Sequence, residues 1–293
     1  MLNWLQSDRD VNTLIARKNY PRAIHLLQLE LQKNAQSVHL RQQLADVWAK
    51  AGQPAKAIRI LEELVDEFIT EGFVAKAIAV LKKIQRIDPT RSGVDLQMAS
   101  LLQQREEDAP AFRSPRLQES FEEGLLELSD SATLQPPEAT SELRADWFED
   151  AVDARRDFHW SPLLAGFDRE ELAALIGGLR LLIKKPGAII YAEDEPGESM
   201  FILSSGKARV YRRTGTGRCQ QTAVLHEGQF FGEGSVLTVS HRLSTVTAAL
   251  ECELLELDKE KFDQISTQHP RLRETIQNLY HQRASMETRG LDN

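Results

Sequence analysis

Gln229-Phe230-Phe231-Gly232-Glu233-Gly234-Ser235-Val236-Leu237, followed after a short gap by Arg242-Leu243-Ser244-Thr245-Val246, is the stretch around which this chain is organised. Its first half reads as a tight turn opening into a short helix, and its second half as the start of a β-strand. Gly232 and Gly234 bring backbone close to a neighbour, Glu233 sits between them, and Arg242 follows that carboxylate by nine positions. A helix N-terminus gathers unpaired N–H groups and the positive end of a dipole, which suits a phosphate. A guanidinium adds paired, charge-assisted hydrogen bonds to the same anion. A carboxylate not needed for charge balance accepts hydrogen bonds from a ribose hydroxyl. Together these parts describe a pocket for a sugar carrying one phosphate.

Outward from this stretch the pattern is that of strands. Leu181–Lys184, Ala188–Tyr191, Met200–Ser204, Lys207–Arg212, Gln220–His226, Ser244–Ala248 and Glu253–Asp258 are separated by Gly and Pro turns, as an antiparallel barrel or jelly roll requires. Asp168-Arg169-Glu170-Glu171 supplies an N-cap and first-turn acids for a helix that ends near Gly177-Gly178. Helices return at Lys259–Thr267 and, after Pro270, at Arg271–Ser285.

Phe231-Gly232-Glu233 with Arg242 resembles the phosphate-binding cassette of the cyclic nucleotide-binding domain family, whose members include kinase regulatory subunits, gated channels and bacterial catabolite activators. The resemblance runs from about Ser161 to Arg283. Pro186-Gly187, Pro196-Gly197, Ser205-Gly206-Lys207 and Glu227-Gly228 fall where that family keeps its turns, and Leu257-Asp258-Lys259, Phe262 and His269-Pro270 match its closing strand and following helix. The resemblance implies that Phe231, Gly232, Glu233, Gly234, Ser235, Arg242, Leu243 and Ser244 surround the phosphate and ribose of cAMP or cGMP, and that Tyr280 caps the base. Within this set Phe231 reads as core rather than base contact. Leu243 lacks the hydroxyl that in the family favours cGMP, so cAMP is the expected ligand. Four positions depart from the family pattern: Gly234 for a large aliphatic residue, Ser235 for alanine, His241 for proline, and Asp194 for a turn glycine.

The N-terminal part has another period. From about Val11 to Gln104 the apolar spacing is helical with alanines at the contact points. Tyr20-Pro21-Arg22-Ala23-Ile24 and Gln53-Pro54-Ala55-Lys56-Ala57-Ile58 repeat with Ala23 and Ala57 34 residues apart, the spacing of tetratricopeptide repeats, which the segment resembles. A third copy, Phe73–Leu81, follows after 20 residues, so the helix through Leu61–Thr70 serves two repeats. Asp88-Pro89 closes the helix before it. Stacked helix pairs expose a long face, and a protein partner is expected there.

Between the two parts the composition changes. From Glu106 to Glu142 there are ten acids against Arg113 and Arg116, a net charge of −8, with prolines at 110, 115, 136 and 137. This segment reads as a linker, with Phe121–Leu128 as one short helix inside it. Ser141–Phe158 reads as an amphipathic helix with Trp147, Phe148, Ala151 and Val152 on one side. The expected domains are 1–105, a helical repeat domain; 106–140, an acidic, proline-containing linker; and 141–293, the nucleotide-binding domain with its leading helix. The fold class is a multidomain α plus α+β chain, with a jelly-roll or β-roll in its C-terminal part.

Bulk properties narrow the function. The net charge of −8 over 293 residues opposes binding to a nucleic-acid backbone, and no 18-residue apolar run calls for a membrane. The N-terminus turns polar too early for a signal peptide, so a cytoplasmic protein is expected. Cys219 and Cys252 lack metal-ligand spacing and read as buried structural thiols. The histidines form no metal cluster, and Thr214-Gly215-Thr216-Gly217 lacks the lysine of a phosphate loop. No catalytic residues, metal or cofactor are expected, and no winged DNA-binding segment is expected after the last helix. The expected function is a non-enzymatic cyclic mononucleotide receptor that relays binding to a protein partner, with homo-oligomerisation open. The rival is a scaffold whose nucleotide fold is empty.

Overall fold

Along β3 (Ser199–Ser205) nearly every side chain is buried, although strands on a surface sheet alternate. The reason is that the two faces of this strand meet different apolar layers. Met200 and Ile202 join one hydrophobic cluster, while Phe201 and Leu203 join a second. The strand belongs to an antiparallel sheet of order β1 (Arg180–Lys184), β8 (Cys252–Asp258), β3, β6 (Phe230–Phe231), covered by a second sheet on one side and by helices on the other.

A computed structural model describes residues 11–91, 93–108, 164, 167–215, 217–238 and 241–289. The N-terminal helices are α1 (Val11–Ala16), α2 (Tyr20–Lys33), α3 (Val38–Lys50), α4 (Pro54–Glu71), α5 (Val74–Ile87) and α6 (Val94–Asp108). Then come α7 (Arg169–Gly178), β1 (Arg180–Lys184), β2 (Ile189–Tyr191), β3, β4 (Ala208–Arg213), β5 (Cys219–Leu225), β6 (Phe230–Phe231), α8 (Gly234–Leu237), β7 (Thr245–Ala248), β8 (Cys252–Asp258), α9 (Lys259–Gln268) and α10 (Pro270–Arg289). The second sheet has the order β2-β7-β4-β5. Asp168 caps α7 as its sequence requires: its carboxylate accepts from Glu171 N at 2.8 Å, and Glu171 Oε2 accepts from Asp168 N at 3.0 Å.

The two sheets close over Tyr191, Phe201, Leu203, Phe231, Val246 and Leu254. The outer face of the first sheet is covered by the helical array itself. The cluster that holds Met200, Ile202, Phe230 and Leu255 continues without a break through Ile78, Leu81 and Ile84 of α5 and Leu61, Leu64 and Phe68 of α4. Lys83 Nζ reaches Glu253 Oε1 on β8 at 2.5 Å and Gln42 Oε1 on α3 at 2.9 Å. Lys76 Nζ pairs with Glu227 Oε2 at 2.7 Å. Helix α4 packs against both α3 and α5, so it does serve two helix pairs.

Two expectations change. Cys252 is buried, but Cys219 is exposed, because it opens β5, the outermost strand of the second sheet, whose side chains mostly face solvent. The two-residue strand β6 is too short to carry a readable period, and the sequence reading passes over it. Residues 109–163, which include most of the acidic linker and the Ser141–Phe158 helix, lie outside the described residues.

Candidate functional site

Arg242 is held in place before its side chain is considered. Its N–H donates to Glu195 O at 2.8 Å and its carbonyl accepts from Asp194 N at 2.9 Å, so the residue is pinned to the turn after β2. Asp194 sits in that turn at φ 69°, which explains why glycine is usual there and why a short polar residue can replace it.

From this anchor the side chain runs inward and is only 5% exposed. Its guanidinium lies 4.2 Å from the ring centroid of Tyr191 and 5.7 Å from that of Phe201. Phe201 stacks on Phe231 at 5.3 Å, so the aromatic layer between the sheets forms the floor of the site. Phe231 belongs to this floor. Nη1 donates to Ser199 O at 2.7 Å, to Ser235 Oγ at 3.1 Å and to Gly232 O at 3.3 Å, and Nη2 donates to Ser199 Oγ at 3.1 Å.

This pattern leaves a directional remainder. Ser199 takes both Nη atoms end-on, through its carbonyl and its hydroxyl. Nε is buried and has no hydrogen-bond partner. Nε–H is therefore the unmatched donor of the guanidinium, and Nε with Nη2 forms the lateral edge with which an arginine grips two oxygens of a phosphate or carboxylate. All four acceptors in place are neutral oxygens. Burial pushes the guanidinium below its ordinary pKa, with Tyr191, Glu195 and Glu256 opposing the shift. A buried cation with only neutral acceptors carries an effective penalty of several kcal/mol, which an anion beside Nε would offset.

Gly232 and Ser235 of the cassette both touch this guanidinium. Gly232 has φ 78°, and a Cβ there would stand 2.7 Å from Nη1, so both conformation and space demand glycine. Ser235 Oγ occupies the space left by Gly197, where a Cβ would come within 2.1 Å of it. The short helix α8 carries Gly234 and Ser235, and Glu233 just before it is buried. Lys259 Nζ donates to Val236 O at 2.9 Å and its N–H to Glu198 O at 2.7 Å, tying α8 to the start of α9. Tyr280 of α10 reaches the cassette and lies against Gly234. Ser244 is buried, whereas Leu243 is 65% exposed. The expected residues Gly232, Ser235 and Arg242 are in mutual contact, Glu233 and Gly234 adjoin them in the chain, and Tyr280 packs over Gly234. Sequence reading missed Ser199, Gly197 and Tyr191. Their only signal is position, beside the Pro196-Gly197 turn and at the end of β2.

Among the described residues no group of His, Cys, Asp and Glu could hold a metal ion, and no helix is long and apolar enough to cross a membrane.

Comparison with known proteins finds matches in two stretches of the chain. Residues 183–269 match the family model of the cyclic nucleotide-binding domain, and residues 14–69 match that of the tetratricopeptide repeat. The chain is similar to the CRP-like cAMP-activated global transcriptional regulator of Mycobacterium tuberculosis, 26% identical over 114 residues, 39% of this chain and 51% of that protein. It is similar to a cyclic nucleotide-gated potassium channel of Rhizobium etli, 30% identical over 46% of this chain and 37% of the channel. It is also similar to the human potassium/sodium hyperpolarization-activated cyclic nucleotide-gated channel 1, 27% identical over 40% of this chain and 13% of the channel. The matches thus span about half of the regulator and much less of the channels. Among solved structures, the catabolite activator protein of Thermus thermophilus aligns with TM-score 0.43 at 26% identity, covering 45% of this chain and 62% of that one. Tetratricopeptide-type helices and an antiparallel roll of cyclic nucleotide-binding fold with flanking helices therefore lie in one chain.

Proposed function

We propose that this chain is a non-enzymatic receptor for a cyclic mononucleotide, cAMP ahead of cGMP, and that it passes ligand binding to a protein partner through its N-terminal helices. The observation that carries the reading is the partnerless Nε of Arg242, buried on the lateral edge of the guanidinium beside the Gly232–Ser235 cassette. A cyclic phosphodiester presents two free oxygens and one negative charge, which match that edge in geometry and in sign. In this reading Gly232, Ser235 and Arg242 hold the phosphate, with Ser244 and the backbone at Leu243 beside it. Glu233 accepts from the ribose, and Tyr280 covers the base. Leu243 offers no hydroxyl to a guanine amino group, so adenine is favoured.

The shared core supports the relay. Glu227 Oε1 accepts from Gly206 N at 3.0 Å while its Oε2 holds Lys76 of α5, and Gly228 then turns the chain into β6 and the cassette. A shift of the cassette on binding thus has a short mechanical route to α5. Coupling requires that the ligand prefer one arrangement of these parts. Calorimetric titration of the whole chain with cAMP and with cGMP tests the receptor reading. Binding of cAMP tighter than cGMP supports it, and heat from neither below ~1 mM, about −4 kcal/mol, overturns it.

A further inference from the structure

One end of the helical array holds a cavity that the nucleotide site does not use. It measures about 450 Å³ and is lined by Tyr20, Pro21 and Ile24 at the start of α2, Trp48 and Ala51 at the end of α3, and Gln53 before α4. Lys56 Nζ lies 4.2 Å over the Trp48 ring. Lys18, Lys50 and Lys56 are exposed in the same loops and first turns, and among the described residues none of them has a carboxylate within ion-pair distance. Residues 11–60 as a whole carry eight bases against Glu30 and Asp46, a net charge of +6. In a chain of net charge −8 this is a marked local reversal.

The same chain carries the complement. Residues 106–142 hold a net charge of −8, the opposite sign at similar magnitude. Within them Leu117-Gln118-Glu119-Ser120-Phe121-Glu122-Glu123-Gly124-Leu125-Leu126-Glu127-Leu128 sets Phe121, Leu125 and Leu128 at helical spacing, with Glu119 before them and Glu122, Glu123 and Glu127 between them. We propose that this acidic stretch of the chain itself docks on the basic end of its own array, with Phe121 in the Tyr20–Trp48 cavity and its glutamates facing Lys18, Lys50 and Lys56. An aromatic anchor in an aromatic-lined cavity, ringed by opposite charges, is a recurrent recognition pattern. Phe121 stands thirteen positions beyond Asp108, the end of α6. At ~3.3 Å each they span about 43 Å, the width of about four packed helices. The proposal is independent of the nucleotide reading.

The test uses the whole chain at low concentration and a zero-length carbodiimide, which joins a lysine amine to a carboxylate only when they touch. Expected are links within one chain from Lys18, Lys50 or Lys56 to Glu119, Glu122, Glu123 or Glu127, suppressed at least fivefold by Phe121→Ala, which leaves every charge in place, and lost in 1 M salt. Links at these lysines that join two chains show a second copy as the occupant and overturn the proposal. So does a link pattern that Phe121→Ala leaves unchanged, or an absence of links to this stretch. Circular dichroism and urea denaturation of Phe121→Ala that match the native chain show that the variant tests docking and not folding.

Discussion

The ring of Tyr280 lies 3.3 Å from the point where a Cβ on Gly234 would stand, so the last helix rests on a cassette position that carries no side chain. A large aliphatic residue there would fill the space that the tyrosine occupies. Gly234→Leu is expected to improve the helix propensity of α8 by about 1 kcal/mol, yet to push Tyr280 away. Hydrogen exchange over Ile276–Tyr280 should then speed up severalfold. Unchanged exchange would show that the contact does not hold the helix.

Gly232 faces a stricter limit, since it has both a left-handed conformation and the Arg242 guanidinium at its Cα. Gly232→Ala should cost about 1–2 kcal/mol from conformation alone. The new methyl group also forces Nη1 from its place. Urea denaturation should report the lost stability, and nucleotide affinity should fall at least tenfold.

Much of this was legible in the sequence. The strand boundaries, the Asp168 capping box and the 34-residue helical period follow from local signals that survive folding. Gly232, Ser235 and Arg242 were legible as a set because the cassette places them in one short stretch. Ser199 and Tyr191 were not, since they reach the guanidinium only when β2 and β3 are brought into the roll. The union of array and roll was also hidden. The doubly buried β3 shows it in retrospect, but a continuous apolar run does not say what covers its second face. Cys219 illustrates the converse, since a strand's place at the edge of a sheet is set by topology and not by its own residues.

Lys76 and Glu227 link the array to the loop before the cassette, with side chains about one quarter exposed. A double-mutant cycle of Lys76→Met and Glu227→Gln should give a coupling of about 0.5–1 kcal/mol, larger than for a fully exposed pair. If α5 is the relay, the same changes should reduce any ligand-induced change in α5 exchange while leaving affinity within about threefold. Additive effects on both readouts would place the relay elsewhere.

The thiols should behave as opposites. Burial pushes the Cys252 thiol above its ordinary pKa, and the thiol donates to the carbonyls of Lys207 and Leu250. The folded chain therefore keeps this proton at pH values where the unfolded chain has lost it. Its contribution to stability is intact below the ordinary thiol pKa, ~8.5, and declines as pH rises through the higher folded value. Cys252→Ala should flatten that alkaline decline. In native buffer a thiol reagent should modify Cys219 quickly, and Cys252 only on unfolding.

The central claim is that the lateral edge of Arg242 grips a cyclic phosphate, and cAMP affinity compared across Arg242 variants tests it most directly. Arg242→Lys keeps the charge and loses the fork, and Arg242→Ala loses both. With folding confirmed by circular dichroism, Arg242→Ala should weaken cAMP by ~2–3 kcal/mol, about 30- to 150-fold, with Arg242→Lys between it and the native chain. Binding that both variants leave unchanged, or a native chain that binds no cyclic nucleotide, would contradict the account.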